Sequence, residues 1–225
     1  MSKFLQDEKL RQANFKATAP YFSELARSEG IYRSHLYPFC LPHEYAGENL
    51  YFEIRQPVMA YFARNEIKWH DGQSGNPSNH LCDSQVSCAN FLFPFFDKPT
   101  ALAALLRPIF PEIREMLPIE DGQYVAFEWI GQQNYLREKI SRGGKRTRGA
   151  NCTSADASVM FQGEDGQRQI VLIEWKYTES YYPTCLKYAA SGTDRTKIYE
   201  NLYLSDDCPL SKELIPNFDD LFFEP

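Results

Sequence analysis

The segment spanning residues 153–179 constrains the fold of this chain more than any other. Two stretches rich in β-branched and apolar residues, 155–161 and 169–176, flank a polar segment that contains glycine. This arrangement predicts a β-hairpin. Residues 164–166, Glu-Asp-Gly, suit a three-residue loop in which a type I turn is followed by a left-handed glycine.

Such a loop sets the register of the hairpin, because it pairs Gly163 with Gln167. The same register places Asp156 directly across from Glu174, and alternation along the strand puts Lys176 on their face. The opposite face is predicted to pack on the core, because it carries the apolar residues Ala155, Ala157, Val159, Phe161, Val171, Ile173 and Trp175.

The predicted pairing of Asp156 with Glu174 indicates a site for positive charge. Directly opposed Cβ atoms are about 5 Å apart, and like charges at that distance destabilise a sheet. Two such carboxylates need a proton, a cation or open solvent. One interpretation is a hard divalent ion that bridges the two acids, with Lys176 beside it. The alternative is a solvated rim of ordinary salt bridges.

Residues 124–130 alternate in character and predict a further strand. If this strand pairs beside the hairpin, Glu128 lies on the face of Asp156 and Glu174. Glu128 is then either a third acid of a metal site or a structural carboxylate satisfied by arginine or backbone donors, since both settings perturb carboxylates.

A basic loop leads into the strand that carries Asp156. Between residues 137 and 148 the basic side chains are opposed by a single acid, and two adjacent glycines imply a flexible backbone. In a chain of net charge -6 this local reversal of sign favours phosphate binding, although a solvated charge run is the alternative. The residues expected to contact nucleic acid are Arg142, Lys145, Arg146 and Arg148.

Helical patterns surround the predicted strands. They cover residues 3–29 with a break at Pro20, 49–67 with a kink or a restart near Pro57, 84–96, 99–117 with Thr100 as N-cap, and 193–204 capped by Thr193 or Asp194. The aromatic stretch 31–48 is expected to form an ordered loop. We therefore expect a helical N-terminal region over residues 1–78 that packs on a core over residues 79–225.

Composition excludes several classes of protein. Hydrophobic residues make up 43% of the chain, which is enough for a substantial core. The charged N-terminus lacks the apolar segment of a signal peptide, and no apolar run is long enough to span a membrane. The scattered cysteines are expected to be reduced thiols, so we expect a cytoplasmic protein. Nothing resembles a nucleotide-binding P-loop, so use of ATP is not expected.

Four segments, taken in order, resemble a known group of enzymes: SQVSCANFLFPF, VAFEWIG, SADASVMF and IVLIEWKYTESY. An Asp followed by Glu-x-Lys at the end of an apolar strand is similar to the PD-(D/E)xK nuclease superfamily. More narrowly, the four segments resemble bacterial restriction endonuclease-like proteins. The resemblance runs from about residue 79 to the C-terminus.

The resemblance implies an α/β fold: a restriction-endonuclease-like core, with a central mixed sheet flanked by helices, and a helical N-terminal region. It implies a metal-dependent endonuclease that hydrolyses DNA phosphodiester bonds. Mg²⁺ would be held by Asp156, Glu174 and the carbonyl of Trp175, with Lys176 and Glu128 as further catalytic groups.

The C-terminal section departs from the pattern of the family. Its core order is αβββαβ, and the sequence provides no convincing fourth strand. Members of the family continue past a similar Phe-Glu-Pro, at which this sequence ends. The core is then either truncated or completed by a partner, and a homodimer is one of the open alternatives. A non-catalytic protein that binds nucleic acid on a degenerate nuclease fold is the rival to the enzyme.

Overall fold

The computed structural model describes residues 3–138, 144–179, 187–188, 191–206, 208, 213 and 216–218. The chain divides into two compact units. The larger unit contains Met1–Gln133 and Lys139–Glu179, and the smaller unit contains Asn134–Glu138 and Ser180–Pro225. All the strands described below belong to the larger unit.

The helices described in the larger unit are α1 (Lys3–Thr18), α2 (Arg55–Arg64), α3 (Ser84–Leu92) and α4 (Pro99–Leu106). Helix α1 ends before Pro20, as predicted. Of the two alternatives predicted near Pro57, the structure shows a new helix start and not a kink, because the helix begins at Arg55. Pro57 therefore lies in the first turn, where a missing N–H costs no helical hydrogen bond.

The first residues of α3 and α4 show why each helix begins where it does. Asp83 caps α3, because its side chain accepts a hydrogen bond of 2.9 Å from the N–H of Val86. Helix α4 begins with Pro99 as its first residue and Lys98 before it. The prediction of Thr100 as N-cap was therefore wrong, since proline is itself preorganised for the first helical position.

The sheet contains β3 (Ile113–Leu117), β4 (Val125–Trp129), β5 (Ala155–Gly163) and β6 (Arg168–Ile173). Strand β3 corrects the predicted helix 99–117, whose second half is extended. Both β3 and β4 pair with β5, β3 along residues 160–163 and β4 along residues 155–159, and β6 pairs with residues 157–162.

Every ladder among these four strands is antiparallel. The expectation of a mixed sheet is therefore not met in the part of the chain that the structure describes. A parallel pair requires a crossover connection of a dozen or more residues. Strands β5 and β6 are instead joined by a tight turn, and the architecture is α/β with an antiparallel sheet.

The β5–β6 hairpin has the predicted register, with Ala157 opposite Ile173 and Val159 opposite Val171. Its loop is also as predicted. The N–H of Gly163 donates to the carbonyl of Gln167 at 2.9 Å, and Gly166 has a left-handed φ of 80°. The apolar face of the hairpin packs on α2, α3 and α4, where Phe127, Val159 and Phe161 are fully buried.

The stretch predicted as an ordered loop belongs to a two-stranded hairpin, β1 (Gly30–Tyr32) and β2 (His35–Tyr37), and to the 3-10 helix His43–Asn49 that follows it. In the smaller unit α5 spans Lys197–Leu204, so it begins later than predicted. Asp194 accepts hydrogen bonds from the N–H and hydroxyl of Thr196. No helix among the described residues has the length and apolarity needed to cross a membrane.

Candidate functional site

The hairpin continues beyond β6 through a contact made by Asp156. Its Oδ2 accepts a hydrogen bond of 2.6 Å from the N–H of Trp175. A side-chain oxygen thus replaces a carbonyl of the ladder and anchors the chain that follows Ile173. The half-buried Asp156 is therefore held beside the segment that carries Glu174 and Lys176.

Glu174 and Lys176 form an ion pair with each other, and both side chains are exposed. An exposed pair of this kind contributes little to stability, typically below about 1 kcal/mol. Its partners can therefore exchange for other ligands at small cost. The site thus combines one anchored carboxylate with one solvent-facing carboxylate and one solvent-facing ammonium.

Glu128 stands opposite Asp156 on β4, but the ladder is interrupted there: Phe127 pairs with Ala157 and Trp129 with Ala155. Its φ is 46°, a left-handed value that few residues other than glycine adopt. The residue is only 2% exposed. Its two carboxylate oxygens accept hydrogen bonds from Gln85 at 2.7 Å and from Ser154 at 2.8 Å.

The electrostatics of the site converge on Asp156. Burial raises the pKa of this carboxyl, and the charges of Glu174 and Glu128 raise it further. The N–H of Trp175 and the ammonium of Lys176 act in the opposite direction. The three acids therefore lie within electrostatic reach of one another, and positive charge placed among them would be stabilised.

Side chains of helix α3 hold two residues of the site in place. Gln85 holds Glu128, and Ser87 accepts a 3.2 Å hydrogen bond from the indole N–H of Trp175. The ring of Phe91 packs 5.2 Å from the ring of Trp175. One helix thus fixes both β4 and the segment after β6, which keeps the acids of the two strands in a constant relation.

Residues after Lys176 are anchored as well. The hydroxyl of Tyr177 donates a 2.6 Å hydrogen bond to Glu8 on α1, and the hydroxyl of Thr178 donates to the carbonyl of Cys82 at 3.1 Å. Burial, together with the Glu8 carboxylate, raises the pKa of Tyr177. The sequence indicated only that these residues follow the site, since partners so distant in the chain leave no local pattern.

The predicted nucleic-acid-binding residues occupy different environments. Lys145 is exposed and paired with Glu66. Arg146 donates to the backbone carbonyls of Ile130, Gln133 and Gly131, at 2.7, 2.7 and 3.1 Å. Arg142 lies outside the described residues. Lys145 is thus the member of the set whose charge faces solvent among the described residues.

Arg148 is 8% exposed and does not fit the expected phosphate contact. Its guanidinium donates to Glu120, to the Tyr61 hydroxyl and to the side chain of Asn65, all at 3.1 to 3.2 Å. It also donates to the carbonyls of Phe127 and Glu128 on β4. Its N–H groups donate to acceptors within the protein, so Arg148 has a structural role.

Sequence reasoning missed this network of Tyr61, Glu120 and Arg148, and it also missed Ser154 and His70 as neighbours of Glu128. The Nε2 atom of His70 lies 3.8 Å from the Glu128 carboxylate and 3.2 Å from the carbonyl of Gly149. A sequence shows that an arginine is charged, but it does not show whether the folded chain places buried hydrogen-bond acceptors around it.

A preformed metal site is not present among the described residues, since no group of three or more His, Cys, Asp and Glu side chains is placed to hold an ion. His80 is partly buried, which lowers its pKa to about 4, and its Nδ1 accepts a hydrogen bond from the N–H of Cys82. The donor set that remains for a hard cation is the carboxylates of Asp156 and Glu174.

A family model described as restriction endonuclease associating with ARP matches residues 9–224. The chain belongs to this family. The match covers the hairpin, the acids at its end and α3, and it supports a nuclease-like function. No curated protein and no solved structure matches the chain.

Proposed function

We propose that the chain is a metal-dependent endonuclease that hydrolyses DNA phosphodiester bonds. The observation that carries the proposal is the end of the β5–β6 hairpin. There Asp156 is anchored to the backbone of Trp175, beside the exposed Glu174–Lys176 pair. The family description agrees with this class of reaction.

The residues present fit Mg²⁺, because Asp156 and Glu174 offer hard oxygen donors and mutual repulsion that a cation would relieve. Mg²⁺ keeps several waters, so two carboxylates and the Trp175 carbonyl would suffice as protein ligands. When bound, the ion would lower the pKa of a water molecule and neutralise charge on the phosphate.

The residues of the chain would divide the remaining work. Lys176 would leave Glu174, hydrogen-bond the attacking water through Nζ and stabilise charge that develops on the phosphate. Glu128, sealed between Gln85 and Ser154, would act through Asp156 by keeping its pKa high. We propose Lys145 and Arg142 as contacts to the DNA backbone, which supply affinity without sequence information. We also propose that the enzyme works in the cytoplasm.

The test is nicking of supercoiled plasmid by the wild-type chain in Mg²⁺, Ca²⁺ or EDTA. We expect nicking in Mg²⁺ alone and a loss of at least a hundredfold in Lys176→Ala, the range of one acid–base group. Lys98→Ala, which removes an exposed lysine outside the hairpin, serves as the matched control. Equal rates in wild type and Lys176→Ala would contradict the assignment.

A second candidate is a protein of the same fold that binds nucleic acid without cleaving it. It is favoured by the lack, among the described residues, of a three-ligand metal group. It predicts retained DNA binding with no nicking of DNA and no cleavage of RNA in any divalent cation. The plasmid assay, run beside a binding measurement on the same DNA, separates the two candidates.

A further inference from the structure

Strand β6 has one edge that pairs with no strand among the described residues. Within the described ranges its only ladder is the one with β5. The turn begins with the hydrogen bond from Gly163 to Gln167, and bonded and non-bonded pairs alternate from that point. The N–H and C=O groups of Arg168, Ile170 and Leu172 consequently point away from β5, along the free edge.

The same edge carries exposed apolar side chains. Ile170 is 47% exposed and Leu172 is 61% exposed, and both lie on the outer face of the hairpin. Unpaired backbone groups beside exposed β-forming side chains provide a template on which another strand adds. The hydrogen-bonding groups and the apolar side chains belong to the same residues, so one partner strand would satisfy both.

We propose that β6 pairs antiparallel with β6 of a second copy of the chain, about a two-fold axis at Val171. In this register Ile170 lies across from the partner's Leu172, with backbone groups that face each other correctly. Arg168 then lies across from the partner's Glu174, so that opposite charges meet twice in the symmetric pair.

Charge selects this register over its neighbours. A shift by two residues in one direction sets Arg168 against the partner's Leu172, which gives no ion pair. A shift in the other direction sets Arg168 against the partner's Lys176, and like charges at directly opposed positions destabilise a sheet. A shift by one residue would not align the outward N–H and C=O groups.

The pairing would complete the site in trans, an extension that rests on the proposed function. Strand β6 ends at Ile173, and a ladder that continued past it would put Arg168, Glu174 and Lys176 on one face, because side chains alternate along a strand. Each copy would thus lend an arginine, which suits bidentate phosphate binding, to the site of the other. The two sites would lie roughly 20 Å apart, from a rise of about 3.4 Å over six residues.

The association is tested by sedimentation velocity of the full chain at tens of micromolar without DNA. We expect a dimer that Leu172→Lys and Ile170→Pro weaken at least tenfold. Ile170→Pro removes an N–H that points outward and leaves the β5 ladder intact, as proline on an edge strand should. Ile109→Lys is the matched control, since Ile109 is 71% exposed and lies outside the sheet.

Charge exchange tests the register. Arg168→Glu and Glu174→Arg should each weaken the dimer, and the double variant should restore it. Wild-type protein that remains monomeric would overturn the proposal, as would a dimer that survives both edge variants, because another surface would then hold the copies together. Unchanged circular dichroism of each variant shows that the hairpin itself is folded.

Mixing tests the arginine in trans. Arg168→Ala and Lys176→Ala proteins should each nick poorly, and their equimolar mixture should recover about a quarter of the wild-type rate, because roughly half of the dimers are mixed and each of these has one intact site of two. No recovery in a mixture that forms dimers would refute the catalytic contribution of Arg168. Dimers without nicking in the wild type would refute the nuclease function and leave the β6 pairing standing.

Discussion

Glu128 places a buried carboxylate on a backbone that glutamate rarely adopts. A left-handed residue other than glycine costs about 1–3 kcal/mol, so the surrounding contacts must hold it in place. Those contacts are Gln85, Ser154 and the close backbone of Gly149, where an added Cβ would lie 3.1 Å from the Glu128 carboxyl. We therefore propose that Glu128 adds negative charge beside Asp156 and would not itself ligate a metal bound at the candidate site.

Glu128→Gln tests this role. The change removes a negative charge near Asp156, so the pKa of Asp156 should fall, as carbon-13 NMR titration of its carboxyl would show. Activation by Mg²⁺ should weaken less than tenfold, whereas Asp156→Asn should abolish it. Equal losses in both variants would make Glu128 a direct ligand.

Arg148 is the second residue whose burial decides its role. Arg148→Met should lower the free energy of unfolding by about 3 kcal/mol, because Glu120 would be left without its cation and two carbonyls of β4 would lose a donor. Urea denaturation measures the loss. Lys145→Met, which breaks the exposed pair with Glu66, is the control and should change stability by less than about 1 kcal/mol. A similar loss in both variants would contradict the buried network.

At the scale of elements, α3 is the support on which the site depends, and its start carries a titratable cap. Burial raises the pKa of Asp83 to about 6, above its ordinary value of 3.8, although the N–H of Val86 and the charge of His70 oppose the shift. Between these two values the folded chain binds more protons than the unfolded chain. Stability from this group is therefore present at low pH and is lost as the pH rises through 6.

Asp83→Asn should remove that dependence while keeping an oxygen for the N–H of Val86. In urea denaturation, the free energy of unfolding of the wild type should fall by up to about 3 kcal/mol between pH 4 and pH 6 because of this group. The free energy of unfolding of the variant should fall by less over the same range. Asp97→Asn, at an exposed position, should leave the wild-type profile unchanged. A variant with the full wild-type slope would assign the pH dependence to other groups.

Across the whole molecule, local chemistry was predictable and distant pairing was not. The hairpin register followed from three turn residues, and with it the placement of Asp156 near Glu174. The stretch Ile113–Leu117 is predicted as helix because its five residues fit the helical repeat as well as the two-residue repeat of a strand. Pairing with β5 makes it a strand.

The charged loop shows the limit of composition most clearly. Its basic residues looked alike in sequence, yet one pairs with a surface acid, one braces backbone carbonyls and one is buried. What separates them is the position of their acceptors, which lie on or just after α2 and β4, earlier in the chain. The roles of the acids and of the remaining basic residues in cleavage stay predictions.

The bond from Tyr177 to Glu8 joins the first turns of the chain to the residue that follows Lys176. Gln12 adds a second contact, because its side-chain amide donates a hydrogen bond of 2.8 Å to the Tyr177 hydroxyl. A shortened protein that starts at residue 79 would lack Glu8, so Tyr177 would lose its hydrogen-bond acceptor. The segment that carries Lys176 would then be held less firmly. Helix α1 therefore helps to hold the candidate site, and a cut at residue 79 would remove that support.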